Sequence, residues 1–352
     1  MLTDETNAKG RIAAMPGVQA DASEPMARRL VSARLMAVIR LLRDSAMPQY
    51  ERSVGINELN RQLLTMIGGF GGLTSNDLVA LSGHEKAQIS RAVKSMEAAD
   101  LIGRTSLRAK LMLRAAGQEM FEKVMAISHD RDMSVGRGIS AAERKQFINM
   151  TRALTVRAAQ IYIDERRLSA EAAAAGDCVY PPAPPVPSFG TGEDPHGLRE
   201  MLAPTITALV SYTKRSAMLA YQRQQGLSNF QWMILSQIGE YEPLPLARLI
   251  EIMSRDKSQV GRTVAHFEQI GLVDRHRVAR KRDIMVTTTP LGSETYKAMC
   301  EIAIRRDDVL TADLGPDGRR VYLALLDKVE ANARRLLEEQ RAEAEKAKGL
   351  IV

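Results

Sequence analysis

The chain has 352 residues, 45% of them hydrophobic and only 4% aromatic, with a formal net charge of +7 and a pI near 9.4. That length holds two domains, the aromatic-poor composition favours a mainly helical protein, and the basic balance suits a polyanionic partner without demanding one. No run approaches the roughly 18 consecutive apolar residues of a membrane helix, no apolar segment near Met1 reads as a secretory signal, and Cys178 and Cys300 make neither a disulfide framework nor a metal set, so a cytoplasmic protein is expected.

Residues 1–23 mix Thr, Asp, Asn, Gly, Pro and Ser without periodicity and read as a flexible arm. From Met26 to Arg43, Leu30, Val31, Leu35, Val38, Ile39 and Leu42 form an apolar stripe at helical spacing. A stripe this wide needs partners on more than one side.

Residues 55–104 then prove to be one half of a repeat. Displaced by 171 positions they lie ungapped on 226–275, and thirteen of the fifty pairs are identical, from Gly55/Gly226 to Arg104/Arg275. Apolar matches such as Leu64/Leu235, Leu78/Leu249, Val93/Val264 and Leu101/Leu272 fall where a core belongs. The matched polar positions Lys86/Lys257, Gln88/Gln259 and Arg91/Arg262 share one helix. Such a spacing marks a tandem duplication.

Between Arg104 and Gly117 the first copy is four residues shorter than the second, with three cations, Arg108, Lys110 and Arg114. Two helices should follow, one from Gln118 to about Ser128 and one opened by the capping box Ser140-Ala141-Ala142-Glu143 and running to about Arg167. A Pro/Ala-rich linker covers 169–196, and its proline run favours extended geometry able to span several tens of ångströms at ~3.1 Å per residue.

In the second copy Leu246, Leu249, Ile250 and Met253 predict a short amphipathic helix, and Ser254, Arg255 and Asp256 break it. A second helix over 256–269 should turn Val260, Val264, Phe267 and Ile270 inward and Lys257, Gln259, Arg262, Thr263 and His266 outward. After Gly271, two β-prone runs flank the basic stretch 275–282 and predict a hairpin with a cationic tip. Thr289-Pro290 starts a helix to about Leu310, and another begins after Gly315-Pro316. The charged end from Leu337 reads as a helical extension that frays.

Helix, turn, helix and cationic hairpin compose a winged helix-turn-helix, and the physics suits DNA. Polar side chains on the second helix can reach base edges in the major groove, and a tip rich in Lys and Arg suits phosphates. Gly271-Leu272-Val273-Asp274-Arg275, the wing residue Arg282 and the terminating Thr289-Pro290-Leu291-Gly292 resemble the MarR family of transcription regulators. Arg280 stands where that family usually has aspartate, and Leu107 stands near the wing arginine position of the first copy.

The resemblance, with the repeat, implies a mainly α fold with small β-hairpin wings. Two winged-helix domains, 24–168 and 197–340, would be flanked by dimerisation helices, with a charged tail over 341–352. It also implies an internal pseudo-dimer, or a homodimer of such chains, on double-stranded DNA, and repression relieved by a small aromatic or phenolic effector. The expected DNA-binding residues are Lys86, Gln88, Ser90, Arg91 and Lys94 in the first copy, and Lys257, Gln259, Arg262, Thr263, His266, Arg277, Arg280, Lys281 and Arg282 in the second.

Bland readings stand beside these. A winged helix can serve as a protein-protein module, and a basic run is usually a solvated surface. Cys300, on a late helix among Ile302 and Ile304, reads as an inert thiol rather than a redox sensor. Histidines 84, 129, 196, 266 and 276 show no ligand spacing, and His84 and His266 read as surface polar groups. The 18 methionines read as core filler. No catalytic constellation or cofactor motif is visible.

Overall fold

A computed structural model of the chain describes residues 26–82, 84, 86–175, 194, 196–253, 257–277 and 283–349. The expected N-terminal arm, most of the proline-rich linker, the turn at 254–256 and the wing tip at 278–282 with Arg280, Lys281 and Arg282 lie outside the described residues.

The first half opens with α1 (Met26–Arg29) and α2 (Val31–Val54), interrupted at Leu30. The helix continues well past the expected Arg43, through Pro48, and ends where Gly55 takes a left-handed conformation (φ 62°) that side chains disfavour. Asn57 then caps α3 (Glu58–Gly69), its side chain accepting from the amide of Asn60. The helix-turn-helix is α4 (Ser75–Ser82) and α5 (Lys86–Ala98), and a short hairpin follows, β1 (Ile102–Gly103) against β2 (Met112–Leu113). Two long helices complete the half: α6 (Ala115–Val135) and α7 (Ala141–Ala174), the latter opened by the expected Ser140–Glu143 capping box. α7 reaches several residues into the segment read as linker.

The second half repeats this order. A 3-10 turn at Leu198–Glu200 leads into α8 (Leu202–Gln225), which ends on left-handed Gly226 (φ 67°), the repeat partner of Gly55. Then come α9 (Asn229–Tyr241), β3 (Leu244–Pro245), α10 (Leu246–Met253) and α11 (Lys257–Gln269). The wing is β4 (Val273–Arg277) and β5 (Ile284–Thr288), with β5 central between β3 and β4, all antiparallel. In the first half the β3 contact survives only as a bridge between Leu73 and Leu111. α12 (Pro290–Thr311), with the expected Thr289 cap, and α13 (Gly315–Gly349) end the chain.

One expectation needs correction. Ile270 is not inward: α11 stops at Gln269 and the left-handed Gly271 turns the chain, leaving Ile270 43% exposed while Val260, Val264 and Phe267 are fully buried. The end after Leu337 is helical, as expected, to Gly349, and Gln340 accepts a hydrogen bond from Arg52 at 3.3 Å.

Burial divides into three cores rather than two. One fills the first winged helix around Leu64, Ile67, Leu78, Val93 and Phe121, and another fills the second around Leu235, Ile238, Leu249, Val264 and Phe267. The third is shared by α2, α7, α8, α12 and α13, and draws Val31, Leu35, Leu154, Leu202, Leu209 and Leu326 together. The wide apolar stripe of α2 is satisfied there, by partners from both halves.

Reciprocal capping ties the halves together. Neither α2 nor α8 has a side-chain cap of its own, so their first amides need outside acceptors. Asp307, buried on α12, accepts from the amides of Val31 (3.1 Å) and Ser32 (2.8 Å). Asp132, on α6, accepts from the amide of Leu202 at 2.7 Å. Each carboxylate also meets an arginine, Arg319 for Asp307 (3.0 Å) and Arg144 for Asp132, and each arginine donates to a carbonyl just ahead of the capped helix, at Arg29 and Glu200. Negative charge at these N-termini also complements the helix dipoles. Phe147 and Tyr322 occupy equivalent positions and stack at 5.1 Å with an interplanar angle of 8°.

Candidate nucleic-acid interface

Each second helix of the helix-turn-helix is amphipathic, so burial decides what it presents. In α11, Val260, Val264 and Phe267 face the core, which leaves Lys257, Gln259, Arg262 and His266 exposed. Thr263 is half-buried, and its hydroxyl donates to the carbonyl of Gln259 at 3.1 Å. In α5, Ile89, Ala92, Val93 and Met96 are buried and Lys86, Gln88, Ser90, Arg91 and Lys94 are exposed. Lys86, Arg91, Lys94, Lys257, Arg262 and Arg277 pair with no carboxylate among the described residues. Each face therefore presents uncompensated positive charge.

The wings differ as their lengths predict. β4 is an edge strand whose last four residues, Asp274, Arg275, His276 and Arg277, are all exposed. Charges there blunt pairing with other chains, and Arg277 stands clear to meet phosphates. The first hairpin has two residues per strand against five. Leu107 is 83% exposed at its tip, and Arg114 turns away to pair with Asp100 at 2.7 Å. Arg108 and Lys110 remain exposed on this shorter wing.

One device recurs in both copies and escaped sequence reasoning. Glu97 on α5 pairs with Arg104 at 3.0 Å, and Glu268 on α11 pairs with Arg275, whose Nε donates at 2.7 Å. The Arg275 hydrogen bond holds the Glu268 carboxyl below its usual range. Both pairs tie the end of the second helix to the start of the wing, fixing one relative to the other. The signal was present, because Glu97/Glu268 and Arg104/Arg275 are identical pairs of the repeat. Arg104 also donates to Ser75 Oγ and to the Leu107 carbonyl, both at 3.1 Å, which folds this cation back onto its own domain.

His84 is not the surface group its sequence suggested. It is half-buried, within hydrogen-bond distance of Gln62 on α3 (3.2 Å), and it also engages Gln88 on α5. Burial, foremost, lowers its pKa below 6.5. His266 is exposed, as expected.

Cys300 is half-buried, and burial pushes its thiol up to about 11, which disfavours the reactive thiolate. Among the described residues no group of His, Cys, Asp or Glu could hold a metal ion, and no helix is long and apolar enough to cross a membrane.

Comparison with known proteins agrees with this geometry. Residues 54–109 and 227–279 each match the MarR family. Among solved structures, a probable transcriptional regulator from Pseudomonas aeruginosa shares 22% identity over 32% of this chain and 87% of that one, with a TM-score of 0.28. A MarR/EmrR family transcriptional regulator from Acinetobacter sp. ADP1 also shares 22% identity, over 35% of this chain and 87% of that one, with a TM-score of 0.31. No curated protein gives a match. Two family matches, one in each half of the repeat, support a tandem duplication of MarR-like winged-helix domains in this chain.

Proposed function

We propose that the chain is a sequence-specific regulator that grips double-stranded DNA as an internal pseudo-dimer. The observation that carries this reading is the pair of exposed, uncompensated cationic helices, α5 and α11, mounted on two halves that share one core. They would enter successive major grooves about one helical turn apart, ~34–36 Å. Lys257, Gln259, Arg262, Thr263 and His266 would read bases or position phosphates, with Lys86, Gln88, Ser90, Arg91 and Lys94 as their first-copy counterparts. Arg277, Arg280, Lys281 and Arg282 would follow the backbone from the wing. Because the faces and wings differ, the preferred operator is asymmetric rather than a perfect palindrome. We read the activity as repression, relieved by a small effector.

The test is binding to DNA upstream of the chain's own gene across a salt series, with the mass in solution known. One chain should protect two adjacent turns. Arg262→Ala should weaken binding and reduce the slope of log K against log salt by about one unit, as the loss of one phosphate contact does. Two chains over twice that length would mean that the working unit is a larger dimer. An unchanged slope for Arg262→Ala, with no discrete protection on any genomic fragment, would leave a protein-docking module instead.

A further inference from the structure

The two wings differ in chemistry as well as in length. In the first, the Ala109 amide donates to the Ser106 carbonyl at 3.0 Å, closing a turn with Leu107 and Arg108 at its two central positions. Leu107 is the most exposed large hydrophobic side chain among the described residues. A single exposed leucine is ordinary on a protein surface. This one, however, stands at the apex of a braced hairpin. Ile102 and Leu111 are buried at its base, and Leu111 exchanges two backbone hydrogen bonds with Leu73, at 2.8 and 3.2 Å. The next exposed apolar residue of the hairpin, Met112, lies back against Gly72, so Leu107 projects by itself.

The apex is also tied to the helix-turn-helix. Arg104 donates to the Leu107 carbonyl and to Ser75 Oγ, both at 3.1 Å, and pairs with Glu97 at 3.0 Å. Ser75 opens α4 and Glu97 lies in the last turn of α5, so one guanidinium holds the tip to both helices. The charge around the tip has a single sign. Arg108 and Lys110 are exposed, and the sequence has no acidic residue between Asp100 and Glu119. The longer second wing, by contrast, carries Asp274 and Asp283. Protein partners gain affinity from contiguous apolar area, which one side chain on a narrow tip does not offer. A lone aliphatic group between cations matches instead the side chains that wedge into stacked bases from the minor groove.

We propose that the first wing is a DNA-bending wedge: Leu107 inserts between two stacked base pairs and kinks the duplex, while Arg108 and Lys110 take the flanking phosphates. The inference rests on the reading of this chain as a DNA-binding regulator and adds a bending activity, exerted by one wing of each chain. Stiffness matters here, because a tip that yields cannot force two base pairs apart, and the bond from Arg104 to the Leu107 carbonyl braces the apex where the load falls. The shortened wing is then a different contact rather than a weakened one. It also selects sequence without reading a base edge. TA and CA/TG steps unstack most readily, so such a step belongs on the first-copy side of the operator.

The experiment uses the full chain and short duplexes that it recovers from a randomised pool, labelled at both ends for energy transfer and carrying 2-aminopurine at successive positions. The first-copy side is the half-site whose protection weakens in Arg91→Ala. Wild type should bend these duplexes within the ~20–90° range of wedging side chains, and 2-aminopurine should brighten at one TA or CA/TG step on that side. Leu107→Ala, altered only in solvent, should melt like wild type and still bind, but lose most of the bend and the brightening. Leu107→Met keeps an apolar wedge and should retain both. Arg108→Ala should lower the slope of log K against log salt by about one unit and leave the kinked step in place. Binding without a bend, or a bend and brightening that survive Leu107→Ala, would overturn the wedge and leave the regulator reading standing. In the unbent case, equal binding by wild type and Leu107→Ala would assign Leu107 to a protein partner instead. Recovery of no duplex at all would remove the regulator reading and the wedge with it.

Discussion

Glu143 shows how a single half-buried carboxylate can make the fold sensitive to acid. Lys328 of α13 donates to it at 2.6 Å, and the Ser140 amide donates at 2.9 Å as half of the capping box. These bonds, Lys328 first, lower its pKa from 4.5 to about 2. A carboxyl held lower in the folded than in the unfolded chain stabilises the fold above its unfolded pKa, and that contribution disappears as pH falls from there towards the folded value. The urea midpoint of wild type should therefore exceed that of Glu143→Gln at pH 6, and the gap should close between pH 4.5 and 2. A gap that stays constant with pH would mean that the capping box works without the charge. At the same scale, the residues that face DNA owe their availability to what they lack. Lys257 and Arg262 find no carboxylate among the described residues, whereas Arg275 and Arg104 are spent on holding the wing.

At the scale of elements, the join between wing and following helix is the tightest point in each half. Gly292 lies in the first turn of α12, where an added Cβ would overlap the carbonyl oxygen of Leu272, and Gly117 meets Leu101 in the same way. Backbone cannot withdraw as a flexible side chain can, so Gly292→Ala should cost about 1–3 kcal/mol through overpacking. The measurement is the denaturant midpoint; an unshifted midpoint would show that α12 can slide away from the wing. Because Leu272 leads directly into β4, the same substitution should displace the wing and weaken DNA binding along with stability.

For the whole molecule, the decisive structure is the core that belongs to neither half. Val31 and Leu35 pack with Leu202, Leu209 and Leu326, and Asp132 and Asp307 each cap a helix of the other half. A cut introduced in the linker at 176–193 should therefore leave two fragments that co-elute in size-exclusion chromatography. The Asp307 side chain is fully buried, so Asp307→Ala removes the cap and strands Arg319, at a cost of about 3–5 kcal/mol. The nicked Asp307→Ala protein should then fall apart at denaturant concentrations that the nicked wild type survives. Separation of the nicked wild type in plain buffer would mean that the linker, rather than the shared core, joins the halves.

The sequence by itself determined the local modules and their duplication. Helical spacing in Leu246–Met253, the cap at Thr289 and the glycines at 55, 226 and 271 act over one or two turns, so they are readable without knowing what packs where. The same holds for the recognition helices, whose inward and outward faces follow from period alone, except at Ile270, where the helix stops short. Only the tertiary structure decided which polar groups are spent and which are left over. Glu97 and Arg104, or Asp307 and the amide of Val31, look alike as solvated groups in sequence, yet packing brings them together across 7 and 276 positions. Burial is a property of the assembled core, and it is burial that turns an ordinary charge into a cap or a strut.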